Sequence, residues 1–383
     1  MTDIVMTPPE LLVPAGDIEK MRYAFAFGAD AVYAGVPKYS LRTREIGFRE
    51  ADLAAAIAEA HSFGKKFYAT MNIYAHNSKV DGFLKALELL LDAKPDAIIM
   101  SDPGLIYESL RRFPNLIIHL STQANTTNRL SVKMWRDLGV KRIILPRELQ
   151  LSEIAEMHQA VPDIELEAFV HGAICIAYSG RCLISNYLNH RDANQGTCTN
   201  SCRWEYKLMQ ERASILDVEK TQEPRKSHND LPSNLAVKES HRSEYFPIFE
   251  DEAGTYLFNA KDLCAIELIP ELIKSGIISL KVEGRTKSAW YAAMTARAYR
   301  SAIDDAVSDK SFKKENLRDL LSLSNRCYTS GFYTRNPRQY GENFTDGYSR
   351  SEGERVAGKI HSYDSASGLA RFTILNRIKK GEK

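Results

Sequence analysis

The sequence predicts an α/β fold: a (β/α)8 TIM-like barrel with a Cys-rich insertion after strand seven and a partial C-terminal β-module. Three observations lead to this prediction. Short apolar segments alternate with helix-length segments, glycine recurs between a helix and the next strand, and eight strand–helix units can be counted. A doubly wound open sheet remains the alternative, because periodicity alone does not distinguish a closed sheet from an open one.

The predicted strands are mostly continuous apolar runs, which are typical of parallel strands buried on both faces. They are Leu11–Val13, Ala31–Ala34, Lys66–Met71, Ala97–Met100, Leu116–Leu120, Arg142–Leu145, Leu166–Val170 and Ile278–Val282. Helices are predicted at Asp17–Phe27, Glu50–Ser62 and Ser288–Ala306. The first two end at Gly28 and Gly64, and glycine is the residue most favoured just after a helix.

About a hundred residues between strands seven and eight interrupt the repeat. Gln210–Ser243 is polar with mixed charge, which predicts a mobile or solvated loop. Residues 245–258 predict a β-hairpin with its turn near Asp251 to Gly254. We therefore expect residues 1–310 to form the barrel, including the Cys-rich insertion 172–258.

The C-terminal extension, residues 311–383, has a different pattern. Gly358–His361 and Leu369–Leu375 alternate as two strands around a turn at 364–368. Two strands do not form a stable domain alone. We expect either a truncated β-barrel module or a hairpin that packs on the barrel.

Composition excludes several classes of protein. The 383 residues include 51 Lys and Arg against 49 Asp and Glu, a formal net charge of +2, with 44% hydrophobic and 26% charged residues. This balance excludes a disordered tail, a collagen and a coiled coil. No apolar run reaches ~18 residues, so no membrane span is predicted. The first ten residues lack a secretory signal pattern, so a cytoplasmic location is expected, and any nucleic-acid binding must come from a local basic patch.

Four of the six cysteines lie close together directly after strand seven, in the pattern Cys175-x6-Cys182-x15-Cys198-x3-Cys202. Soft thiolates are typical ligands of an iron–sulfur cluster or of zinc. Only the last pair has the spacing of zinc fingers, which favours a cluster over zinc. Unrelated structural thiols and a redox disulfide are the alternatives, and Cys264 is a reserve ligand.

Barrel enzymes keep their active sites at the carboxyl ends of the strands. This rule selects Asn72, Asp102, Gln123, Arg147, Glu148, His171, Glu283 and Arg285.

Arg147 and Arg285 can clamp a dicarboxylate, because a guanidinium binds a carboxylate bidentately. The alternative is a structural salt bridge to Glu148 or Glu283. Glu283 and Arg285 are catalytic candidates through their position at a strand end.

The amide and imidazole side chains at the strand ends each allow a functional and a structural interpretation. Asn72 and Gln123 can bind a base edge or a carboxylate, or they can cap a loop. His171, the third catalytic candidate, can be a proton shuttle or a cluster neighbour. A core histidine satisfied by the backbone is the alternative.

Basic and aromatic residues surround the cysteines. Arg181, Arg203 and Trp204 form a combination suited to a phosphate backbone and a stacked base. Alternatively, Trp204 only covers the cysteines from water. The pattern extends as a basic rim through Lys281, Arg285 and Lys287, although a charge run is more often a solvated face.

The run Glu167–Cys175, followed by Tyr178–Cys182, resembles the signature of the collagenase-like peptidase family U-32. The continuations at 189–206 and 281–288 resemble the tRNA hydroxylation protein P branch of that family. The resemblance covers nearly the whole chain from Glu10 onward.

The resemblance implies an oxygen-independent hydroxylase that makes 5-hydroxyuridine at the wobble position of tRNA. It implies prephenate as the hydroxyl source, tRNA as partner, and a 4Fe-4S cluster on Cys175, Cys182, Cys198 and Cys202. An electron donor or partner protein is possible. Relatives in ubiquinone biosynthesis place the fourth ligand further downstream, which keeps Cys264 in consideration, and other relatives act on ribosomal RNA.

Two other functions stay open. A peptidase is disfavoured because the sequence has neither H-E-x-x-H nor G-x-S-x-G. Cys175 with His171 is the remaining nucleophile–base pair. A non-enzymatic scaffold with a stabilising zinc site is the other alternative.

Overall fold

The computed structural model describes residues 7–41, 48–175, 177–182, 184–185, 191–199, 261–334 and 356–377, with short strands between 236 and 256. The strands are β1 (Glu10–Pro14), β2 (Ala31–Gly35), β3 (Lys66–Met71), β4 (Ala97–Met100), β5 (Ile118–Leu120), β6 (Arg142–Ile144), β7 (Glu165–Ala173), β8 (Ala236–Lys238), β9 (Tyr245–Pro247), β10 (Phe249–Asp251), β11 (Gly254–Tyr256), β12 (Asp262–Cys264), β13 (Ile277–Val282), β14 (Tyr328–Thr329), β15 (Gly358–Asp364) and β16 (Leu369–Ile374). The α-helices are α1 (Ile18–Ala26), α2 (Glu50–Ser62), α3 (Asn77–Leu91), α4 (Pro103–Arg112), α5 (Arg129–Asp137), α6 (Leu151–Ala160), α7 (Ile269–Lys274), α8 (Ala289–Val307) and α9 (Lys314–Leu321).

Eight parallel strands form a closed barrel, so the predicted (β/α)8 fold is confirmed. Strands β1 to β7 pair in chain order, and β13 pairs with both β7 and β1. Because β13 has a partner on each side, the open-sheet alternative is wrong. Apart from Ile278, the residues between the two ends of each strand are buried, as their apolar sequences require.

Helix ends are fixed by side chains that accept backbone N–H groups. Asp17 accepts from Lys20 at 2.9 Å, and Asn128 accepts from Ser131 at 3.0 Å. Asp102, selected above as a strand-end residue, accepts from Gly104 at 2.9 Å. This contact makes Asp102 the N-cap of α4 and gives it a structural task.

Strand β7 extends beyond its predicted end and gains a short partner. Its last residues pair antiparallel with β12, which in turn pairs in parallel with β14. The Asp262 carboxylate at the start of β12 binds Arg326 at 2.5 Å, and both side chains are buried. A strand of two or three residues is too short to produce a recognisable alternating pattern in the sequence.

The insertion contains more strand than its composition predicted. Strands β10 and β11 form the expected antiparallel hairpin. Strand β8 pairs with β9, so the prediction of a loop throughout Gln210–Ser243 is wrong at Ala236–Lys238. The other residues of that predicted loop lie outside the described part of the chain.

The C-terminal extension begins with residues that pack on the barrel. Leu320 and Leu323 of the α9 region are buried, and Tyr333 donates to the Phe169 carbonyl at 2.6 Å. Strands β15 and β16 form the predicted antiparallel hairpin, and its Lys359 contacts Glu19. The division at residue 310 stays a prediction.

Within the described residues, no helix combines the length and the apolar character needed to cross a membrane.

Candidate anion-binding site

A cavity opens at the carboxyl ends of the barrel strands, where barrel enzymes hold their substrates. Six of the residues selected from the sequence line it: Asn72, Gln123, Arg147, Cys175, Glu283 and Arg285. Sequence reasoning missed several others, among them Tyr33, Thr70, Ser121 and Ser179, and it placed Lys281 on an exposed rim. Lys281 is only 3% exposed and Arg285 only 8%, so the prediction of a solvated basic rim is wrong for both.

Two guanidinium groups are held at the cavity wall by different contacts. Arg147 lies over the Phe169 ring, 3.8 Å from its centroid, and its Nη2 is 3.6 Å from the Glu283 carboxylate. Arg285 donates to Ser40 Oγ at 2.6 Å and to the Leu41 carbonyl at 2.9 Å. The salt bridges weighed above join each arginine to a carboxylate one or two positions away, whereas the observed contact joins Arg147 to Glu283 at the end of another strand. It fixes both side chains at the cavity.

Charged side chains beneath the cavity form one connected network inside the barrel. Glu167 is fully buried and accepts from Lys281 Nζ at 2.8 Å and from Arg142 at 3.1 Å. Arg142 reaches on to Glu10 at 2.5 Å. Glu10 and Arg142 begin their strands, whereas Lys281 is near the end of β13. The network therefore runs along the barrel axis and places the Lys281 ammonium at the cavity floor.

Burial and a neighbouring carboxylate act in opposite directions on Lys281. Burial lowers the pKa of its ammonium, and the adjoining Glu167 carboxylate opposes that shift. The ammonium also lies 4.3 Å from the centroid of the Tyr33 ring. Lys281 also lines the cavity, so an anion bound there can contact it.

A chain of hydrogen bonds connects the amide side chains at the ends of β3 and β5. The Leu41 backbone N–H donates to Asn72 Oδ1 at 3.1 Å, and Asn72 Nδ2 donates to Gln123 Oε1 at 2.7 Å. Gln123 Oε1 also accepts from the hydroxyls of Ser101 and Ser121, each at 3.1 Å. Both amides are buried, so their orientation is fixed.

The loops that cover this end of the barrel are attached by buried polar contacts. Glu148 accepts from the Ser179 backbone N–H at 2.7 Å and contacts its hydroxyl. Arg181 donates to the Gln123 carbonyl at 2.9 Å and to Tyr74 Oη at 2.7 Å. Arg181 therefore braces the segment that carries Gln123, and it does not line the cavity.

His171 lies outside the cavity, among three tyrosines. Its Nδ1 is 3.4 Å from Tyr299 Oη, and its Nε2 is 3.5 Å from Tyr328 Oη. Burial lowers the pKa of His171 to about 3, so the ring is neutral near pH 7. This placement favours the core-histidine reading over the proton shuttle.

An irregularity in strand pairing explains where His171 points. Phe169 pairs with Lys281 and His171 pairs with Val282, so β7 has one extra residue between the two pairs. Successive side chains of a strand point to opposite faces, and an extra residue reverses that alternation. Phe169 therefore faces the cavity, whereas His171 faces the helix layer.

The described cysteines follow β7 on the covering loops. Cys175 lines the cavity, and Cys175, Cys182 and Cys198 are all partly exposed. Thiol chemistry suits a cluster or zinc, but no three His, Cys, Asp or Glu side chains in the described residues are placed to hold a metal ion. Because Cys202 lies outside the described residues, the part of the chain that the structure describes holds only three of the four predicted ligands.

Several sequence predictions fall outside these observations. Cys202, Arg203 and Trp204 lie outside the described residues. Cys264 lies beside Tyr299, whose hydroxyl is 3.9 Å from its sulfur, and burial raises the pKa of the Cys264 thiol to about 11. Its position in β12 separates it from the loops that carry Cys175, Cys182 and Cys198.

The fold and the site together define a (β/α)8 barrel protein with a cation-lined cavity at the catalytic end. The chain matches the model of peptidase family U32 over residues 16–343. It is 48% identical to tRNA hydroxylation protein P of Haemophilus influenzae, over 98% of this chain and 84% of that protein. It is 47% identical to tRNA hydroxylation protein P of Escherichia coli, over 98% of this chain and 85% of that protein. It is also 31% identical to the 23S rRNA 5-hydroxycytidine C2501 synthase of Escherichia coli, over 79% of this chain and 40% of that protein. The chain belongs to peptidase family U32.

Proposed function

We propose that this protein is a tRNA hydroxylase that makes 5-hydroxyuridine at the wobble position without using oxygen. The observation that carries the proposal is its similarity, over 98% of the chain, to two proteins named for tRNA hydroxylation. The proposed substrate implies the cytoplasm as the site of action.

We propose prephenate as the hydroxyl donor and the cavity as its binding site. Three cations, Arg147, Lys281 and Arg285, line the cavity against one lining carboxylate, Glu283. This excess of positive charge at a barrel-enzyme site suits a small dicarboxylate. The residues of this chain bind and orient that anion.

We propose that Cys175, Cys182, Cys198 and Cys202 bind a 4Fe-4S cluster, which requires the covering loops to bring their thiols together. Support comes from the spacing and from the position of three of these cysteines on loops at the catalytic end. Zinc is the alternative. Iron, acid-labile sulfide and zinc contents after anaerobic purification distinguish the two. Cys198→Ala should lose the bound metal, whereas the matched Cys264→Ala should retain it.

The test of the function is nucleoside mass spectrometry of tRNA from a bacterial strain that lacks 5-hydroxyuridine. Expression of this chain should restore the modified nucleoside, and Cys198→Ala should not. No 5-hydroxyuridine with well-expressed, metal-loaded protein would contradict the proposal.

Hydroxylation of ribosomal RNA is a second candidate, favoured by the 31% identity to the 23S rRNA enzyme. The same digest applied to ribosomal RNA tests it, and a hydroxylated pyrimidine there with none in tRNA would select this candidate. Peptidase activity lacks comparable support, because the His171 ring nitrogens face Tyr299 and Tyr328 while Cys175 lines the cavity.

A further inference from the structure

Two neutral side chains of the cavity wall each have a buried polar atom without a hydrogen-bond partner among the described residues. The atoms are Thr70 Oγ1 and Gln123 Nε2, and each side chain is 2% exposed. A buried polar group without a partner is destabilising, so native proteins keep few of them. Both residues line the same cavity, so a single molecule bound there can contact both atoms.

The direction of the Gln123 amide follows from a main-chain group. Leu41 N–H can only donate, so the Asn72 atom that it contacts must be Oδ1. Asn72 Nδ2 is then the donor toward Gln123, so the Gln123 atom that it contacts must be Oε1. On the side away from Asn72, the Gln123 amide therefore presents its N–H groups and not its oxygen.

The third group at the floor is the Lys281 ammonium. It has three N–H donors, and Glu167 accepts one of them at 2.8 Å. An amide N–H, a hydroxyl and an ammonium around one space are donors suited to an acceptor that carries negative charge.

We propose that this floor binds a carboxylate of the small anion. Gln123 Nε2 and the Thr70 hydroxyl donate to its oxygens, and Lys281 is its counter-ion. Asn72 is a positioning residue that holds the Gln123 amide in the donating orientation. The proposal deepens the proposed function, on which it rests for the choice of prephenate as probe.

The test is calorimetric titration of the purified full chain with prephenate and with phenylpyruvate, a monocarboxylate, in the absence of RNA. Thr70→Val removes the hydroxyl with little change in shape. It should weaken binding about 10- to 150-fold, the range for a hydrogen bond to a charged group. Thermal stability of the free protein should stay the same or rise, because the hydroxyl has no protein partner.

The chain offers a matched control in Thr126→Val. Thr126 Oγ1 is also buried without a partner in the described chain, but Thr126 does not line the cavity. This variant should bind with unchanged affinity. Equal affinities of Thr70→Val and wild type would overturn the assignment of Thr70.

Gln123→Glu replaces the donating nitrogen by oxygen and keeps Oε1 for Asn72. It should weaken binding at least as much as Thr70→Val, because a carboxylate then faces a carboxylate. Gln123→Met removes the amide and is the second chain in which an Asn72 substitution is compared. Asn72→Ala, which adds no charge to the cavity, should weaken binding in the wild-type chain and have little further effect on Gln123→Met, an outcome that a merely structural role would not produce.

The outcomes separate the two proposals. Weakened binding by both cavity variants supports the carboxylate site even if no 5-hydroxyuridine forms in cells. Binding of phenylpyruvate without prephenate, with the same variant effects, supports the site and removes prephenate. Failure of both probes to bind the wild-type chain, or unchanged affinity of Gln123→Glu, overturns the inference.

Discussion

Removal of the charge of Glu167 should destabilise the barrel through Lys281. In Glu167→Gln, Arg142 keeps its contacts to Glu10 at 2.5 Å and to Glu165 at 2.8 Å. Lys281 loses the carboxylate that accepts from it at 2.8 Å and stays almost fully buried. Breaking a buried ion pair from one side costs about 3–5 kcal/mol in the free energy of unfolding.

A second substitution, Lys281→Met, tests whether the unpaired Lys281 ammonium causes the loss of stability. Glu167→Gln with Lys281→Met removes both charges and leaves side chains of similar length, which is often close to neutral in stability. The double variant should therefore recover most of the loss. Urea unfolding measures the free energy of unfolding of the single and the double variant. Far-UV circular dichroism and tryptophan fluorescence follow the transition, and coincident curves justify a two-state treatment.

The pH dependence of the single variant gives an independent check. Without Glu167, burial lowers the pKa of Lys281 with less opposition, so the unfolded state binds more protons than the folded state. Stability of Glu167→Gln should therefore rise from pH 7 to pH 9 more steeply than that of wild type. A loss below about 1 kcal/mol, or a double variant as unstable as the single one, would refute the reasoning.

Two further predictions concern the site and its surroundings. Gly16→Ala and Gly172→Ala should each weaken prephenate binding, since an added Cβ would lie 2.3 Å from the Arg285 carbonyl oxygen or 2.4 Å from that of Glu283. Gly104→Ala, whose Cβ meets nothing closer than 3.4 Å, is the control in the same titration, and equal affinities of all three would contradict the argument. The His171 imidazole should not titrate between pH 5 and 8 by NMR, because its pKa lies near 3. Its contribution to stability is then complete above the unfolded pKa of about 6.5 and decreases as pH falls toward 3, and a midpoint near 6.5 in the folded protein would disprove this.

The barrel could be predicted because its strands are buried on both faces and therefore have continuous apolar sequences. Strands Lys66–Met71 and Ala97–Met100 have the predicted bounds. Closure was favoured by the count of units and confirmed only by the pairing of β13 with β7 and β1. The periodicity of a sequence does not show which distant segments pair in the folded protein.

The candidate site was predicted in outline from strand ends. Gln123 and Arg147 line the cavity, as the strand-end rule implies. His171 does not, because one extra residue in β7 reverses the alternation and no sequence signal marks it. Lys281 was assigned to a basic rim, yet it pairs with Glu167 on the neighbouring strand inside the barrel.

The amide chain at the cavity floor has a consequence for evolution. Its first donor is the main-chain N–H of Leu41, a group common to every amino acid except proline. Any residue except proline at position 41 can therefore supply this donor, although the Leu41 side chain itself lines the cavity. Positions 72 and 123 depend on the side chain instead, because an amide offers its acceptor and its donor on two separate atoms. The hydrogen-bonding character of the pocket therefore depends mainly on the residues at positions 72 and 123.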